Sequence, residues 1–182
     1  MKPSTYISRT FVAGVALALA TSVQAGVSAP SPARVSQLTE RFSVAGQITP
    51  DQMADLKARG FTTIVALRPD AEGPGQPSAA QVEAAARSNG MAFAYVPVTA
   101  GTPIPDSAVT ALGEVIANDK SGKVLLYCRS GSRAARTWGL VEASRPGGAD
   151  ANAIIDTVKA SGQSAEDLRD AITKRVSLRP AK

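Results

Sequence analysis

Short apolar runs alternate with amphipathic stretches along most of the chain. Four runs rich in Val, Ile, Ala and Leu predict β-strands at residues 42–47, 62–67, 91–98 and 123–127. The second run is apolar almost throughout, which is typical of a strand that is buried on both faces of a sheet. The pattern therefore predicts a sheet whose strands are separated by helical segments.

Helix-start signals follow the first three predicted strands. The segments 49–52 and 78–81 have the form of capping boxes, and Pro105-Asp106 opens a third amphipathic stretch. Apolar positions at helical spacing predict three more helices after residue 131. Their markers are Trp138, Leu140 and Val141, then Ile154, Ile155 and Val158, then Leu168, Ile172 and Val176.

Alternating strands and helices indicate an α/β fold. We expect a parallel sheet of four to five strands with helices on both faces, followed by extra C-terminal helices. Ligands of open parallel sheets bind beyond the carboxyl ends of the strands. Three strand-end segments are therefore expected to meet, namely residues 68–70, 99–101 and 128–133.

The last predicted strand leads into Cys128, a short polar loop with one glycine, and then a helix-prone stretch. Strand, loop and helix in this order form a cradle for an anion, because the first amides of a helix have no partner within it and the helix dipole favours negative charge there. We therefore predict a thiolate nucleophile that takes an anionic group. The candidate anion-binding residues of the loop are Arg129, Ser130, Gly131, Ser132, Arg133 and Ala134.

Composition restricts the chemistry of this site. The 182 residues include no histidine and one cysteine. The lack of histidine excludes an imidazole base and histidine-ligated zinc, and one cysteine excludes an intramolecular disulfide and an internal resolving thiol. Activation of Cys128 must then come from loop amides, the helix dipole and arginines. We expect no metal and no cofactor.

The N-terminal segment has the pattern of an export signal. Lys2 and Arg9 precede an apolar stretch at 11–23, and Ala25 ends a small-residue cleavage site. The main hypothesis is a signal peptide at 1–25, cleaved after Ala25, which would place the protein in the periplasm or outside the cell. A retained membrane anchor is the alternative. After cleavage we expect no membrane span.

The same pattern divides the rest of the chain. We predict a flexible lead-in at 26–40, a single catalytic domain at 41–176 and a basic tail at 177–182. The formal net charge of +5 includes the two basic residues of the signal segment, so the mature domain is only mildly basic. We therefore do not expect nucleic-acid binding.

Residues 42–141 resemble the phosphatase-like domain of the beta-lactamase-hydrolase-like proteins, a bacterial family also described as sulfur transferases. The resemblance implies a fold similar to that of dual-specificity phosphatases, with a nucleophilic cysteine at a strand end. It rests on five stretches, Val44-Ala45-Gly46-Gln47-Ile48-Thr49-Pro50, Ala66-Leu67-Arg68-Pro69-Asp70, Pro74-Gly75-Gln76-Pro77-Ser78, Tyr95-Val96-Pro97-Val98-Thr99 and Tyr127-Cys128-Arg129-Ser130-Gly131-Ser132-Arg133.

The cysteine loop departs from the phosphatase signature Cys-x5-Arg. Arg133 comes one residue early, and Ala134 stands where that signature has arginine. The resulting Cys-x4-Arg spacing is similar to a rhodanese active loop, which holds a cysteine persulfide. A shorter loop makes a tighter cradle, which favours a sulfur atom on Cys128 over a tetrahedral phosphate.

A general acid is also missing from its usual place. Phosphatases of this type carry an aspartate on the loop that here contains residues 99–101. Asp106 and Asp70 are the substitutes, and Arg68 is a candidate for lining the site, although Arg68 and Asp70 could instead pair with each other. Sulfur transfer between thiolates needs no such acid.

Three functions remain open at this stage. The first is a sulfurtransferase that uses a Cys128 persulfide, with a small anionic sulfane-sulfur donor and a thiol acceptor as partners. The second is a phosphomonoester hydrolase with a cysteinyl-phosphate intermediate. The third is a non-catalytic module that binds an anion.

Overall fold

The computed structural model describes residues 31–101, 103–119 and 122–180. The predicted signal peptide at 1–25 lies outside these residues, as does the lead-in up to residue 30. Five strands form one sheet, with bounds β1 Val35–Gln37, β2 Phe42–Ala45, β3 Phe61–Ala66, β4 Ala92–Tyr95 and β5 Lys123–Tyr127.

The sheet order is β1-β2-β5-β3-β4, and all neighbours are parallel except β1 and β2. Strand β5 therefore lies at the centre, paired with β2 on one side and β3 on the other. This position carries the end of β5, and with it the cysteine loop, to the middle of the carboxyl edge of the sheet.

Six α-helices and two 3-10 turns accompany the sheet in the described residues. A 3-10 turn at Pro50–Gln52 leads into α1, and a second at Glu166–Leu168 leads into α6. The helix bounds are α1 Met53–Ala58, α2 Ala79–Ser88, α3 Asp106–Asn118, α4 Ser132–Ser144, α5 Ala151–Ala160 and α6 Arg169–Leu178.

Two apolar cores lie on opposite faces of the sheet. Leu125 and Tyr127 of β5 pack into the core under α1 and α2, whereas Val124, Leu126 and Cys128 face the core under α3 to α6. Alternate side chains of a strand point to opposite faces, so a strand that is apolar at every position needs cover on both. The prediction of a mainly parallel sheet with helices on both faces is confirmed.

The four strands expected from the sequence are all present, but β4 is shorter than the 91–98 run that predicted it. Beyond Tyr95, Val96 and Val98 still donate backbone hydrogen bonds to Ala66 and Leu67 of the neighbouring segment, at 2.9 Å each. The chain thus stays beside β3 beyond the last ladder pair, which keeps Val98 near the cysteine loop.

Two segment boundaries differ from the prediction. The lead-in expected to be flexible over 26–40 contains β1, which pairs with β2 from Val35 to Gln37. The basic tail is predicted to start at residue 177, but α6 continues to Leu178. Beyond the helix, the Arg179 guanidinium donates a hydrogen bond to the Ala149 carbonyl at 2.9 Å. Within the described residues, β1 and the end of α6 carry little apolar pattern and contact residues more distant in the chain.

In the part of the chain that the structure describes, every helix is too short or too polar to cross a bilayer.

Candidate active site

Backbone hydrogen bonds anchor the cysteine loop to the segment that follows β2. The Cys128 amide donates to the Ala45 carbonyl at 3.3 Å, and the Gln47 amide donates to the Arg129 carbonyl at 3.2 Å. Gly46 lies so close that a Cβ atom there would be 3.2 Å from the Arg129 carbonyl oxygen. The loop is therefore held on its β2 side by main-chain contacts rather than by side chains.

Gly131 turns the chain into α4. Its φ angle of +92° lies in the left-handed region, which side chains with a Cβ disfavour. This conformation directs the Gly131 amide to the Cys128 Sγ atom, at 3.2 Å. The geometry gives the sulfur a hydrogen-bond donor that stabilises a thiolate.

The sulfur lies at the bottom of a closed cradle. Cys128 is only 1% exposed. The amides of residues 132–134 form the first turn of α4 and have no acceptor within that helix, and the positive end of the helix dipole lies beside them. A negatively charged group is favoured in such a place.

Arg133 is held by an acid that the sequence analysis did not single out. Its Nη1 and Nη2 atoms donate to the two carboxylate oxygens of Glu72 at 2.7 Å each, and Nη1 also donates to the Val98 carbonyl at 2.6 Å. Both side chains are largely buried, with 13% and 18% exposed. This bidentate pair fixes the guanidinium beside the cysteine loop.

Glu72 and Arg133 each stabilise the charged form of the other. The hydrogen bonds from Arg133 lower the pKa of Glu72 below its ordinary value, against the opposing effect of burial. Burial opposes the charged form of Arg133, but the Glu72 hydrogen bond and the negative charge of a Cys128 thiolate raise its pKa. Arg133 therefore stays charged next to the sulfur.

Arg68 shares the same carboxylate. Its Nε atom donates to Glu72 at 2.9 Å and its Nη1 atom to the Gln47 side chain at 2.8 Å, and the residue is only 8% exposed. Arg68 thus contacts Glu72, and Glu72 in turn binds Arg133 of the cysteine loop. The alternative that Arg68 pairs with Asp70 is wrong.

Asp70 caps a helix, and its hydrogen bonds join it to Ala79 and Tyr95. Its Oδ1 atom accepts a hydrogen bond from the Ala79 amide at 2.7 Å, at the start of α2. The backbone amide of Asp70 is also engaged, since it donates a hydrogen bond to the Tyr95 hydroxyl at 3.0 Å. The prediction of Asp70 as a general acid is not supported by this placement.

Asp106 lies on the rim of a cleft of about 660 Å³ that also contains Ser132 and Arg133. Its side chain is 88% exposed and forms an ion pair with Arg175. The fold therefore brings Asp106, unlike Asp70, to the side of the cleft that opens on the cysteine loop.

The remaining predicted loop residues differ in accessibility. Arg129 and Ser130 are exposed, and the Ser130 carbonyl accepts a hydrogen bond from the Gln163 side chain at 3.2 Å. Ser132 is half-buried and faces the cleft, whereas Ala134 is fully buried and offers only its amide. Loop residues thus divide into an outer polar edge and an inner ring of backbone donors.

Residues 99–101 line the cleft together with Ser132 and Arg133, whereas the segment after β3 reaches Arg133 through Glu72, outside the predicted residues 68–70. Arg133 contacts Glu72 after β3 and Val98 after β4, and Cys128 directly follows β5. Glu72 was missed because it lies in a Gly- and Pro-rich loop with no motif of its own. The available signal was an acid four residues after Arg68 at the carboxyl edge of the sheet. In the described residues, no cluster of three or more His, Cys, Asp or Glu is arranged to hold a metal.

A parallel α/β sheet with a cysteine and an anion-cradling loop at the end of its central strand defines the class of phosphatase-like proteins. A family model described as "Beta-lactamase hydrolase-like protein, phosphatase-like domain" matches residues 34–145. The chain belongs to this family. Residues 146–180, with α5 and α6, lie beyond the matched segment.

Curated relatives match the same part of the chain. The beta-lactamase hydrolase-like protein of Xylella fastidiosa strain 9a5c is 38% identical over 109 residues, which are 60% of this chain and 25% of the relative. The protein of the same name from Agrobacterium fabrum is 36% identical over 107 residues, or 59% and 24%. The chain thus spans about a quarter of the length of the curated relatives it matches.

Solved structures agree on the fold. A crystal structure from Neisseria meningitidis Z2491, named as a candidate phosphatase, has a TM-score of 0.66 and 29% identity and covers 77% of this chain and 96% of its own. Tk-PTP in its active form has a TM-score of 0.62, 17% identity and coverage of 80% and 97%. At that identity the second likeness concerns the fold alone, which is that of the protein tyrosine phosphatases.

Proposed function

We propose that this protein is a cysteine-dependent sulfurtransferase that carries the transferred sulfur as a persulfide on Cys128. The phosphatase-like fold supports a nucleophilic cysteine, and the geometry of its loop favours sulfur as the group transferred. The donor is a small anion with a sulfane sulfur, and the acceptor is a thiolate or cyanide.

The observation that carries the proposal is the state of Arg133. Transfer of a phosphoryl group relies on an arginine whose planar fork binds two phosphate oxygens at once. Here both terminal nitrogens of Arg133 already donate to Glu72, and one also donates to the Val98 carbonyl. The edge of the fork formed by Nη1 and Nη2 is therefore engaged, which holds the guanidinium in place and leaves Nε and one hydrogen of Nη2 for an anion on the loop.

The remaining donors suit one additional atom on the sulfur. The Gly131 amide already bonds to Cys128 Sγ, and the first-turn amides of α4 lie next along the loop. A persulfide extends the thiolate by a single sulfur, which carries the negative charge toward these amides. A loop with four residues between cysteine and arginine leaves little room for a tetrahedral group.

Sulfur transfer from thiosulfate needs no general acid. The Cys128 thiolate attacks the outer sulfur of thiosulfate, a new S–S bond forms, and the bond to the sulfite group breaks with its electron pair leaving on sulfite. An acceptor thiolate or cyanide then attacks the terminal sulfur and releases the Cys128 thiolate. No proton is transferred, which agrees with the capping role of Asp70.

The test is sulfur transfer from thiosulfate to cyanide by the wild-type chain and by Cys128→Ser. We expect thiocyanate formation by the wild type, a mass increase of one sulfur atom on Cys128 with donor alone, and neither in the variant. Absence of both turnover and the sulfur adduct in the wild type would reject the proposal.

Phosphomonoester hydrolysis is the second candidate, and the position of Asp106 favours it. Asp106 shares the cleft with Ser132 and Arg133, so its carboxyl group is on the side from which a leaving oxygen would be protonated. Hydrolysis of an aryl phosphate that requires both Cys128 and Asp106 would support this candidate. Hydrolysis that persists in Cys128→Ser would reject it.

A further inference from the structure

The cleft beside the cysteine loop extends well past the reacting sulfur. Its α4 wall consists of Ser132, Arg133, Arg136 and Leu140, which recur on one face of the helix. At a rise of about 1.5 Å per residue, this stripe is roughly 12 Å long. The cleft is therefore larger than thiosulfate or inorganic phosphate requires.

The opposite wall comes from the C-terminal part of the chain. Asp167, Leu168, Ala171 and Arg175 line it from the second 3-10 turn and α6. All four lie beyond residue 145, where the match to the family model ends. This wall of the cleft therefore lies outside the domain that the family shares. Its residues can set which substrate this chain binds.

Two arginines in the cleft have partners that are readily displaced. The Arg136 and Arg175 side chains are 27% and 26% exposed, whereas their partners Asp167 and Asp106 are 61% and 88% exposed. Ion pairs with such exposed carboxylates add little stability. A ligand carboxylate or sulfonate can replace these aspartates and bind the Arg136 and Arg175 side chains, which are already partly desolvated.

Much of the remaining lining is apolar. Val98 and Ile104 on one side, with Leu140 and Leu168 on the others, surround the space between the arginines and the cysteine loop. Small-molecule sites combine an apolar body of this kind with a few convergent polar groups. Such a lining fits a ring or short hydrocarbon chain.

We infer that this cleft binds the body of an organic sulfane-sulfur donor, whose apolar part lies along Leu140 and Leu168 and whose remote anionic group is bound by Arg136 and Arg175. The inference rests on the proposed sulfur transfer and names its substrate class. The sulfane sulfur enters at the Arg133 end, next to Cys128.

Binding is tested separately from turnover, in full-length Cys128→Ser protein, with 2-naphthoate as probe and naphthalene-2-methanol as its uncharged analogue. We expect calorimetry to show tighter binding of naphthoate, a loss of about tenfold in Arg136→Gln or Arg175→Gln, and recovery in Arg175→Lys. Arg169→Gln is the matched control, because Arg169 pairs with Glu166 outside the cleft. Equal affinity for both probes, or equal binding by all variants, would overturn the inference.

Turnover then tests the role of the donor. With 4-carboxybenzenethiosulfonate as donor, Arg175→Gln should raise KM about tenfold, whereas KM for thiosulfate should stay the same. A parallel rise in both KM values would indicate a structural effect of Arg175 and overturn the inference. Naphthoate binding without turnover of either donor would reject the sulfur transfer and the donor role, while the organic-anion site would stand.

Discussion

Glu72 binds two arginines at once and thereby determines what the cysteine loop can do. It accepts from Arg133 through both oxygens and from Arg68 through one. Removing a shared, largely buried carboxylate leaves two cations without compensation. At the scale of single residues, the site therefore depends on a side chain that does not face the substrate.

For Glu72→Gln we expect a free energy of unfolding lower by about 2 kcal/mol, measured by urea denaturation at pH 7. Sulfur transfer should fall by about a hundredfold, because a released Arg133 no longer holds its place beside Cys128. Glu83→Gln is the control, since Glu83 pairs with Arg87 on an exposed helix face and should cost about 0.5 kcal/mol or less. Equal effects of the two substitutions would contradict this role.

The same carboxylate makes stability depend on pH. Because the folded-state pKa of Glu72 is lowered from 4.5, its contribution is fully present above that value and is lost as the pH falls through the folded-state pKa. The difference in unfolding free energy between wild type and Glu72→Gln should therefore shrink as the pH falls below about 4.5. A difference that stays constant over this range would show that the charge of Glu72 is not responsible.

Gly131 is the second residue on which the loop depends. Gly131→Ala places a Cβ at a positive φ and 3.2 Å from the Gln163 side chain, so we expect a loss of about 1–2 kcal/mol in stability. Gly162→Ala has a similar φ of +82° but open space around it. Both variants should lose stability, but only Gly131→Ala should slow persulfide formation, by about tenfold, as followed by mass spectrometry.

At the scale of elements, helix α2 accounts for Asp70, which the sequence analysis predicted to be a general acid. Two oxygens bind its first amides, because Ser78 Oγ accepts from the Gln81 amide and Asp70 Oδ1 accepts from the Ala79 amide. An acid at the strand-end edge is typical of a catalytic group, but it is equally suited to the positive end of a helix dipole. The contact with Ala79 decides between the two roles.

The capping role of Asp70 predicts a specific contrast. Asp70→Ala should destabilise the protein by about 1 kcal/mol, whereas Asp70→Asn, which keeps the accepting oxygen, should lose much less. Thermal unfolding measures the difference. Turnover at saturating donor should remain near wild type in both, and a selective loss of turnover in Asp70→Asn would instead make Asp70 the acid.

At the scale of the whole molecule, the free thiol of Cys128 is buried in one of the two apolar cores. Cys128 belongs to the core under α3 to α6, and the cleft formed with α6 begins at Ser132 and Arg133 after its loop. Burial of this kind protects a lone thiol from disulfide exchange, which matters most in an oxidising compartment. The proposed export of the protein and the buried position of its cysteine are thus compatible.

Export is tested on the full-length chain expressed with its N-terminal segment. We expect the protein in the periplasmic or secreted fraction to begin at Gly26, as determined by mass spectrometry of its N-terminal peptide. Replacing Ala25 with a bulky residue should block cleavage and leave the longer form. Recovery of the unprocessed chain from the membrane fraction would favour the alternative of a retained anchor.

The sequence by itself determined the four long strands, the capped helices and the cysteine loop, because each is encoded by neighbouring residues. An apolar run predicts a strand, and Gly131 after Cys128 predicts a turn into a helix. The edge strand β1 has only three residues, of which two are exposed, and so carries too little pattern to be recognised.

Only the tertiary structure decided how this loop is used. Glu72 and Arg133 are 61 residues apart in the chain, and Asp106 and Arg175 are 69 apart, so no local pattern relates them. Parallel strands bring distant chain segments to one edge, and the packing of α6 on α4 adds the second wall of the cleft. The sequence thus supplied the nucleophile, and the fold determined which charges hold it and what can reach it.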